Sequence, residues 1–496
     1  MSPMDPLRTR LLNDRPANRG GDYVLYWMSA ARRVRYNFGL ERAVELANEL
    51  ERPLLVFEAV RAGYRWASLR HHAFLLRGMH DNAAACAKAG VTYYPWVEPA
   101  PGAGKGLLAA LAARACAVVA DEWPCFFLPR ATDAAAKACE TRFELVDSIG
   151  LLPIRAAGSC FVRAYDFRRF LQRELAPHLE SAPQSDPLAR LGRHGKDAQP
   201  PASVLRRWPR TPPTWLDAPA RHCRVEGLDG EVTPVPMIGG SAQGTQRLEQ
   251  FLEQRLSRYA EERSDIDDSA ASGLSPYLHY GHVGTHQVFA ALVRRERWKP
   301  AQLASTTNGR KEGWWGMSPG AESFLDELVT WRELGFNTCL HRPDYDSYDS
   351  LPNWAVRTLE EHAKDARPHR YTLEQLEQAS THDELWNAAQ RELVRTGAMH
   401  NYLRMLWGKK VLEWSRKPRE AFANLVELNN KYALDGRDPN SYSGIAWCFG
   451  RYDRPWAPVR PIFGCIRYMS SANTARKFSV KRYLERFAPS ASLPFG

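Results

Sequence analysis

The chain is 496 residues long and 44% hydrophobic, with 67 Lys and Arg against 56 Asp and Glu for a formal net charge of +11. That size and apolar share bury a large core in two or three domains, which excludes a disordered or fibrous protein. No apolar run approaches the roughly 18 residues of a membrane span and the N-terminus has no apolar signal core, while nine cysteines without a CxxC pair exclude a disulfide framework.

In chain order, Tyr23 to Met28, Pro53 to Glu58, Val91 to Val97 and Ala117 to Ala120 are short β-branched or aromatic runs that read as buried strands. Helical stretches follow at Leu40 to Leu50, His72 to Ala89 and Gly106 to Ala113. The alternation predicts a doubly wound parallel α/β domain over residues 1–175. Gly102, Gly104 and Gly106 invite a phosphate-loop reading, but PGAGKGLL matches neither GxxxxGK[ST] nor GxGxxG, so a loop is expected. Residues 176–242, rich in proline and charge, predict an extended, partly disordered connection between domains.

From 243 to 496 helical periodicity dominates and a mostly α-helical domain is predicted. His279, His282 and His286 have helical spacing, yet no cysteine or carboxylate accompanies them in sequence, and no metal is expected. Lys299 to Gly320 has loop chemistry; its Trp314 and Trp315 either touch a ligand or cap a core. Thr381 with Glu384 reads as a capping box opening a helix that stops at Gly397, and a second helix runs from about Met399 to Trp414. Trp407 and Trp414 share one face about 10.5 Å apart; Trp386 meets them only if the first helix folds back. Spacing alone favours ordinary core packing for all three.

From Asn401 onward there are 17 Lys and Arg against 7 Asp and Glu, so nearly the whole positive excess lies in the last fifth of the chain. Interleaved Trp447, Phe449, Tyr452 and Trp456 suit an anionic, base-bearing partner. SAASGLSPYLHYGHV sets hydroxyl residues and a glycine before a helix near Pro276, either a diphosphate cradle or a plain serine cap with proline.

TGAMHNYLRM, LWGKKVLEW, ALDGRDPNSYSGIAW, RPIFGCIRYMS and SGLSPYLHYG together resemble the flavin-binding domain of the photolyase/cryptochrome family, most closely its class II cyclobutane pyrimidine dimer photolyases. The resemblance implies a light-driven carbon–carbon lyase acting on UV-damaged DNA, with reduced anionic FAD as cofactor. A cryptochrome-like photoreceptor or a (6-4) photoproduct enzyme is the alternative. It places Tyr259, Ser272, Gly273, Leu274 and Ser275 at the FAD pyrophosphate, and Arg404 with Asp435 over the isoalloxazine, Asp438 being a second candidate for that carboxylate. Asn429 falls beside flavin N5. Trp386, Trp407 and Trp414 become an electron-transfer chain with Trp407 nearest the flavin and Trp414 nearest solvent. Glu327, Trp331, Tyr402, Met405, Trp447 and Arg467 become lesion and DNA contacts. In some family members the α/β domain houses an antenna chromophore, so a deazaflavin-type or folate antenna stays an open expectation. A cytoplasmic monomer without obligate protein partners is expected. Asn401, glycine in many class II members, and the 299–320 insertion depart from the pattern.

Overall fold

A computed structural model of the chain describes residues 4–490. Strands β1 (Thr9–Leu11), β2 (Tyr23–Met28), β3 (Leu54–Val60), β4 (Thr92–Val97), β5 (Ala115–Asp121) and β6 (Arg142–Val146) form one sheet in the order β1-β6-β5-β2-β3-β4. Only β1 with β6 is antiparallel. Parallel neighbours need crossovers, and α1 (Phe38–Glu49), α2 (Leu69–Ala89), α3 (Leu107–Ala112) and α4 (Leu128–Ala138) connect them. Side chains of β2 alternate between two cores: Val24, Tyr26 and Met28 pack with α1 and α2, Tyr23 and Leu25 with α3 and the 202–207 helix. Burial on both faces is why β2 is an unbroken apolar run in sequence.

β6 has no such run. Its Glu144 is nonetheless fully buried, because Arg42 and Arg142 both pair with the carboxylate. At the glycine-rich loop, Glu98 Oε1 accepts from Gly102 N at 3.0 Å and Gly104 N at 3.1 Å, so a carboxylate takes the amides that an anion would need.

The 176–242 connection is neither extended nor unstructured; it folds into short helical turns that pack along α1, α2 and α3. Apolar anchors along it include Leu188, Val204, Trp208 and Leu216. Polar bonds fix its course: Trp208 Nε1 donates to Ala103 O at 2.8 Å and Val97 N to Thr211 Oγ1 at 2.7 Å. A further helix, α5 (Ala164–His178), precedes the connection, and every regular element from Ser241 to Arg486 is helical. Among the described residues no helix is long and apolar enough to cross a membrane.

The 299–320 segment is a strap. Glu322 gathers the amides of Gly313, Gly316 and Met317, and Trp314 and Trp315 are buried edge to face at 4.8 Å, so both tryptophans cap a core. The capping box at Thr381 does not form. Asp383 caps the Glu384–Thr396 helix instead, accepting from Trp386 N at 3.0 Å, while Thr381 donates to Asn387 Oδ1 at 2.8 Å. Gly397, at φ 71°, ends that helix.

Candidate active site

A cleft of about 660 Å³ lies within the helical half, lined by Tyr259, Ser272, Ser275, Glu327, Arg404 and Asp435 and walled by Leu278, Phe324 and Leu328. Arg404 projects from the first turns of the Asn401–Trp414 helix, and Asp435 from the turn after the Pro418–Tyr432 helix. Leu434 N donates to Gly397 O at 2.7 Å and fixes the two segments together. The pair is bidentate, with Nη1–Oδ2 at 3.2 Å and Nη2–Oδ1 at 3.0 Å. Burial alone raises the Asp435 pKa, but Arg404 and the Ser275 hydroxyl outweigh it and hold the carboxyl below its usual value. Asp438 does not take this role: it caps the Pro439–Trp447 helix through Asn440 N at 2.8 Å and meets His279 Nδ1 at 3.2 Å.

The helix after Ser272 is shorter than expected, only Ser275–His279, with Leu274 rather than a serine as its cap. Its dipole is correspondingly small, and the turn offers amides and hydroxyls rather than a long helix end. Gly273 holds φ +68°, and a Cβ there would come within 3.1 Å of Arg247 Nε. Leu274 is buried behind the turn. Asn429 is buried one layer back and donates to Ser441 Oγ, which lines the cleft, at 2.6 Å. Asn440, Ser441 and Arg332 also line it and carry no sequence signal beyond their motifs.

The three tryptophans meet. Trp386 stacks on Trp407 at 6.5 Å and 7°, and meets Trp414 edge-on at 5.4 Å, so the spatial order is Trp407–Trp386–Trp414. Trp386 Nε1 donates to Trp407 O at 3.1 Å, and Trp407 Nε1 to Gln390 Oε1 at 2.9 Å. Trp414 is itself buried at 2% exposure rather than at the surface; Tyr371 at 5.2 Å and the exposed His382 at 5.4 Å continue outward from it.

Glu327 and Trp331 sit in a π-helical segment, Asp326–Trp331, a widened turn found often at functional sites. Glu327 is ion-paired with Arg263, a residue 64 positions upstream that sequence reasoning missed. Trp331, Tyr402, Met405, Trp447 and Arg467 do not line the cleft. Trp331 packs edge-on to Tyr452 at 6.5 Å, and Tyr402 edge-on to Phe478 at 4.8 Å. Met405 lies half-buried on the Arg404 helix. Arg467 pairs with Asp453 at 3.0 Å and lies over Trp456 at 3.9 Å and Trp447 at 5.7 Å. Buried Lys409 lies 5.0 Å from the Trp447 ring; burial lowers its pKa to about 8.

His279, His282 and His286 part company: the first meets Asp438, the second accepts from Gly240 N at 2.9 Å, the third sits edge-on to Phe38. Among the described residues no group of His, Cys, Asp and Glu is placed to hold a metal. A second cleft of about 880 Å³ opens at the carboxyl ends of β2, β3 and β5, lined by Trp27, Arg32, Arg61, Tyr64 and Trp123. That is where strand order reverses and where open α/β sheets bind ligands. His279 lines both clefts.

No family model matches the chain. A deoxyribodipyrimidine photo-lyase of Methanothermobacter thermautotrophicus is 34% identical over 484 residues, covering 97% of each chain. A namesake from Oryza sativa is 34% identical over 96% of this chain and 89% of its own, and one from Potorous tridactylus 32% identical over 94% and 81%. Among solved structures, a bacterial class III photolyase from Agrobacterium tumefaciens shares the fold at TM-score 0.64 and 19% identity, over 95% of this chain and 87% of its own. Identity at this level along both halves means that the chain belongs to the photolyase/cryptochrome family.

Proposed function

We propose that this protein is a light-driven lyase that splits cyclobutane pyrimidine dimers in DNA, with reduced FAD as its cofactor and a class II arrangement of motifs. The observation that carries the reading is one cleft in which the Arg404–Asp435 pair, a hydroxyl-lined turn and an acid, Glu327, converge beside apolar walls. Relatives named deoxyribodipyrimidine photo-lyase across the full length support the substrate.

The lining fits FAD by its chemistry. Ser272, Ser275 and the amides around Gly273, with Tyr259 alongside, suit a diphosphate, and Arg404 suits a flavin that carries negative charge when reduced. Leu278, Phe324 and Leu328 give the apolar contact a planar ring needs, and Asn429 orients Ser441 from behind. When bound in its reduced form between Arg404 and the 272–275 turn, FAD would supply light-driven one-electron chemistry to a dimer without net redox change.

The chain's own residues do the rest. Glu327, held by Arg263, presents a carboxyl to the pyrimidine edge, and Trp331 and Trp447 supply apolar surface for the extruded bases. Tyr402, Met405 and Arg467 take their role as DNA contacts from their motifs. Trp407, Trp386 and Trp414 make a continuous ring-to-ring path, which suits electron transfer to a bound flavin. The cleft at the sheet's end, with its aromatic and arginine lining, suits an antenna chromophore of the deazaflavin or folate kind.

Purified protein is expected to be yellow with bound FAD and to restore dimer-containing oligonucleotide under blue or near-ultraviolet light. Intact dimers despite fully reduced flavin would transfer the protein to photoreception without repair.

A further inference from the structure

The strap and the outer face of α5 remain without a role in dimer splitting. The inner side of α5 is spoken for: Arg168 makes a buried bidentate pair with Asp326 at 2.7 and 3.1 Å, beside the turn that carries Glu327 and Trp331. The outer side presents Tyr165, Arg169 and Arg173 at four-residue spacing, all exposed. Just before it, Val162 is 66% exposed, more than any other large hydrophobic residue described, and Tyr165 is 50% exposed.

Two connections give this face an address. Arg163 bridges Tyr452 through the backbone, and Tyr452 packs on Trp331 at 6.5 Å, so the helix starts at the edge of the lesion side. The strap tip is tied on next to it: Gly309 N donates to Gln172 Oε1 at 2.7 Å and Gln172 Nε2 to Arg310 O at 2.9 Å, which sets exposed Arg310 and Lys311 beside the same face. Asp166 and Glu174 are engaged by Arg163 at 3.2 Å and Arg173 at 2.6 Å. Among the described residues no acid pairs with Arg169, Arg310 or Lys311.

We propose that α5 and the strap tip form a second DNA-binding surface, which holds the backbone of the duplex flanking the lesion. The proposal rests on the dimer-splitting reading. Cations without acid partners suit phosphates, the exposed tyrosine and valine suit deoxyribose, and the surface adjoins Tyr452 through the Arg163 bridge. The 15 residues of α5 extend about 22 Å, which corresponds to six or seven base pairs at about 3.4 Å each. The contact therefore engages only DNA that continues that far beyond the lesion.

The test replaces Arg169, Arg310 and Lys311 together by alanine and measures binding by anisotropy to a dimer in a long duplex and to the same dimer in a short single strand. For the long duplex, affinity is expected to fall about tenfold or more, and the slope of log K against log salt to shrink by about 2.7, the value for three lost phosphate contacts. Short-strand affinity and light-driven splitting at saturation stay at the level of the unaltered protein. Alanines at Arg206 and Arg221, on helical turns packed against α3 and α2, change neither. Unchanged long-duplex affinity and slope overturn the proposal, as does an equal loss on both DNAs, which would place the three cations at the lesion itself. Failure of the unaltered protein to split any dimer removes the dimer-splitting reading instead, and is scored separately in the same experiment.

Discussion

Trp386→Phe is the sharpest probe of the aromatic path. Trp407 and Trp414 sit seven residues apart on one helix, about 10.5 Å along its axis, and Trp386 is the ring that closes the gap from the neighbouring helix. Phenylalanine keeps an apolar ring but is far harder to oxidise than indole. The structural loss is small by comparison. The Nε1 bond to Trp407 O goes, about 1 kcal/mol, and a void of a few tens of Å³ at about 24 cal/mol per Å³ adds about 1 kcal/mol more. A total of about 2 kcal/mol lowers Tm by about 4–8 °C, leaving the protein folded at room temperature. Photoreduction of bound flavin should slow by more than about tenfold, a barrier rise above about 1.4 kcal/mol, while chemically reduced variant still splits dimers at the wild-type yield. Trp298→Phe, which removes another buried indole bond, should destabilise similarly without touching photoreduction. The reasoning fails if Trp386→Phe holds flavin at full stoichiometry and photoreduces it at the wild-type rate.

Glu327→Gln breaks an ion pair whose side chains are 32% and 29% exposed, so stability should drop by less than about 1 kcal/mol; splitting per absorbed photon should fall several-fold, read on protein with fully reduced flavin. Asp435→Asn should lower stability by about 2 kcal/mol and loosen flavin, checked by melting and by cofactor loss on dialysis. Because the folded Asp435 carboxyl titrates below its ordinary 3.8, that difference should be constant above pH 3.8 and disappear as the pH falls through the lower folded value. Lys409 runs the other way. Its folded pKa of about 8 lies below the ordinary 10.5, so the unfolded chain binds the extra proton and stability should rise between those pH values. Lys409→Met should abolish that rise in Tm-against-pH profiles.

Much of the α/β half is legible in sequence because its strands are buried on both faces: Tyr23–Met28 is β2 residue for residue. β6 is not legible, since Glu144 breaks the apolar run and is satisfied by Arg42, 102 positions away. The connection over 176–242 misleads for a related reason: its prolines suggest extension, and only the tertiary surface shows that Val204, Trp208 and Leu216 are anchors. In the site, motif residues such as Ser275, Arg404 and Asp435 converge because each motif encodes a local turn or helix face. Arg263 has no such signature, and Asp383 outcompetes Thr381 as a cap because it sits directly before the helix.

The π-turn that carries Glu327 and Trp331 follows from what its neighbours demand. Within eight residues, Asp326 must reach Arg168, Glu327 must reach Arg263, Arg332 donates to Ile149 O at 3.1 Å, and Glu333 accepts from Leu151 N at 2.8 Å. A regular α-helix fixes successive side chains about 100° apart, while a widened turn redistributes those directions at the expense of weaker backbone bonds. Each charge-assisted bond contributes about 1.5–3 kcal/mol, enough to offset that weakening. Three of the four partners belong to the α/β half of the chain. The wall facing the cleft is therefore braced from outside the helical half, and the N-terminal half shapes the reactive surface through Arg168 and the 149–152 loop whether or not a chromophore fills its own cleft.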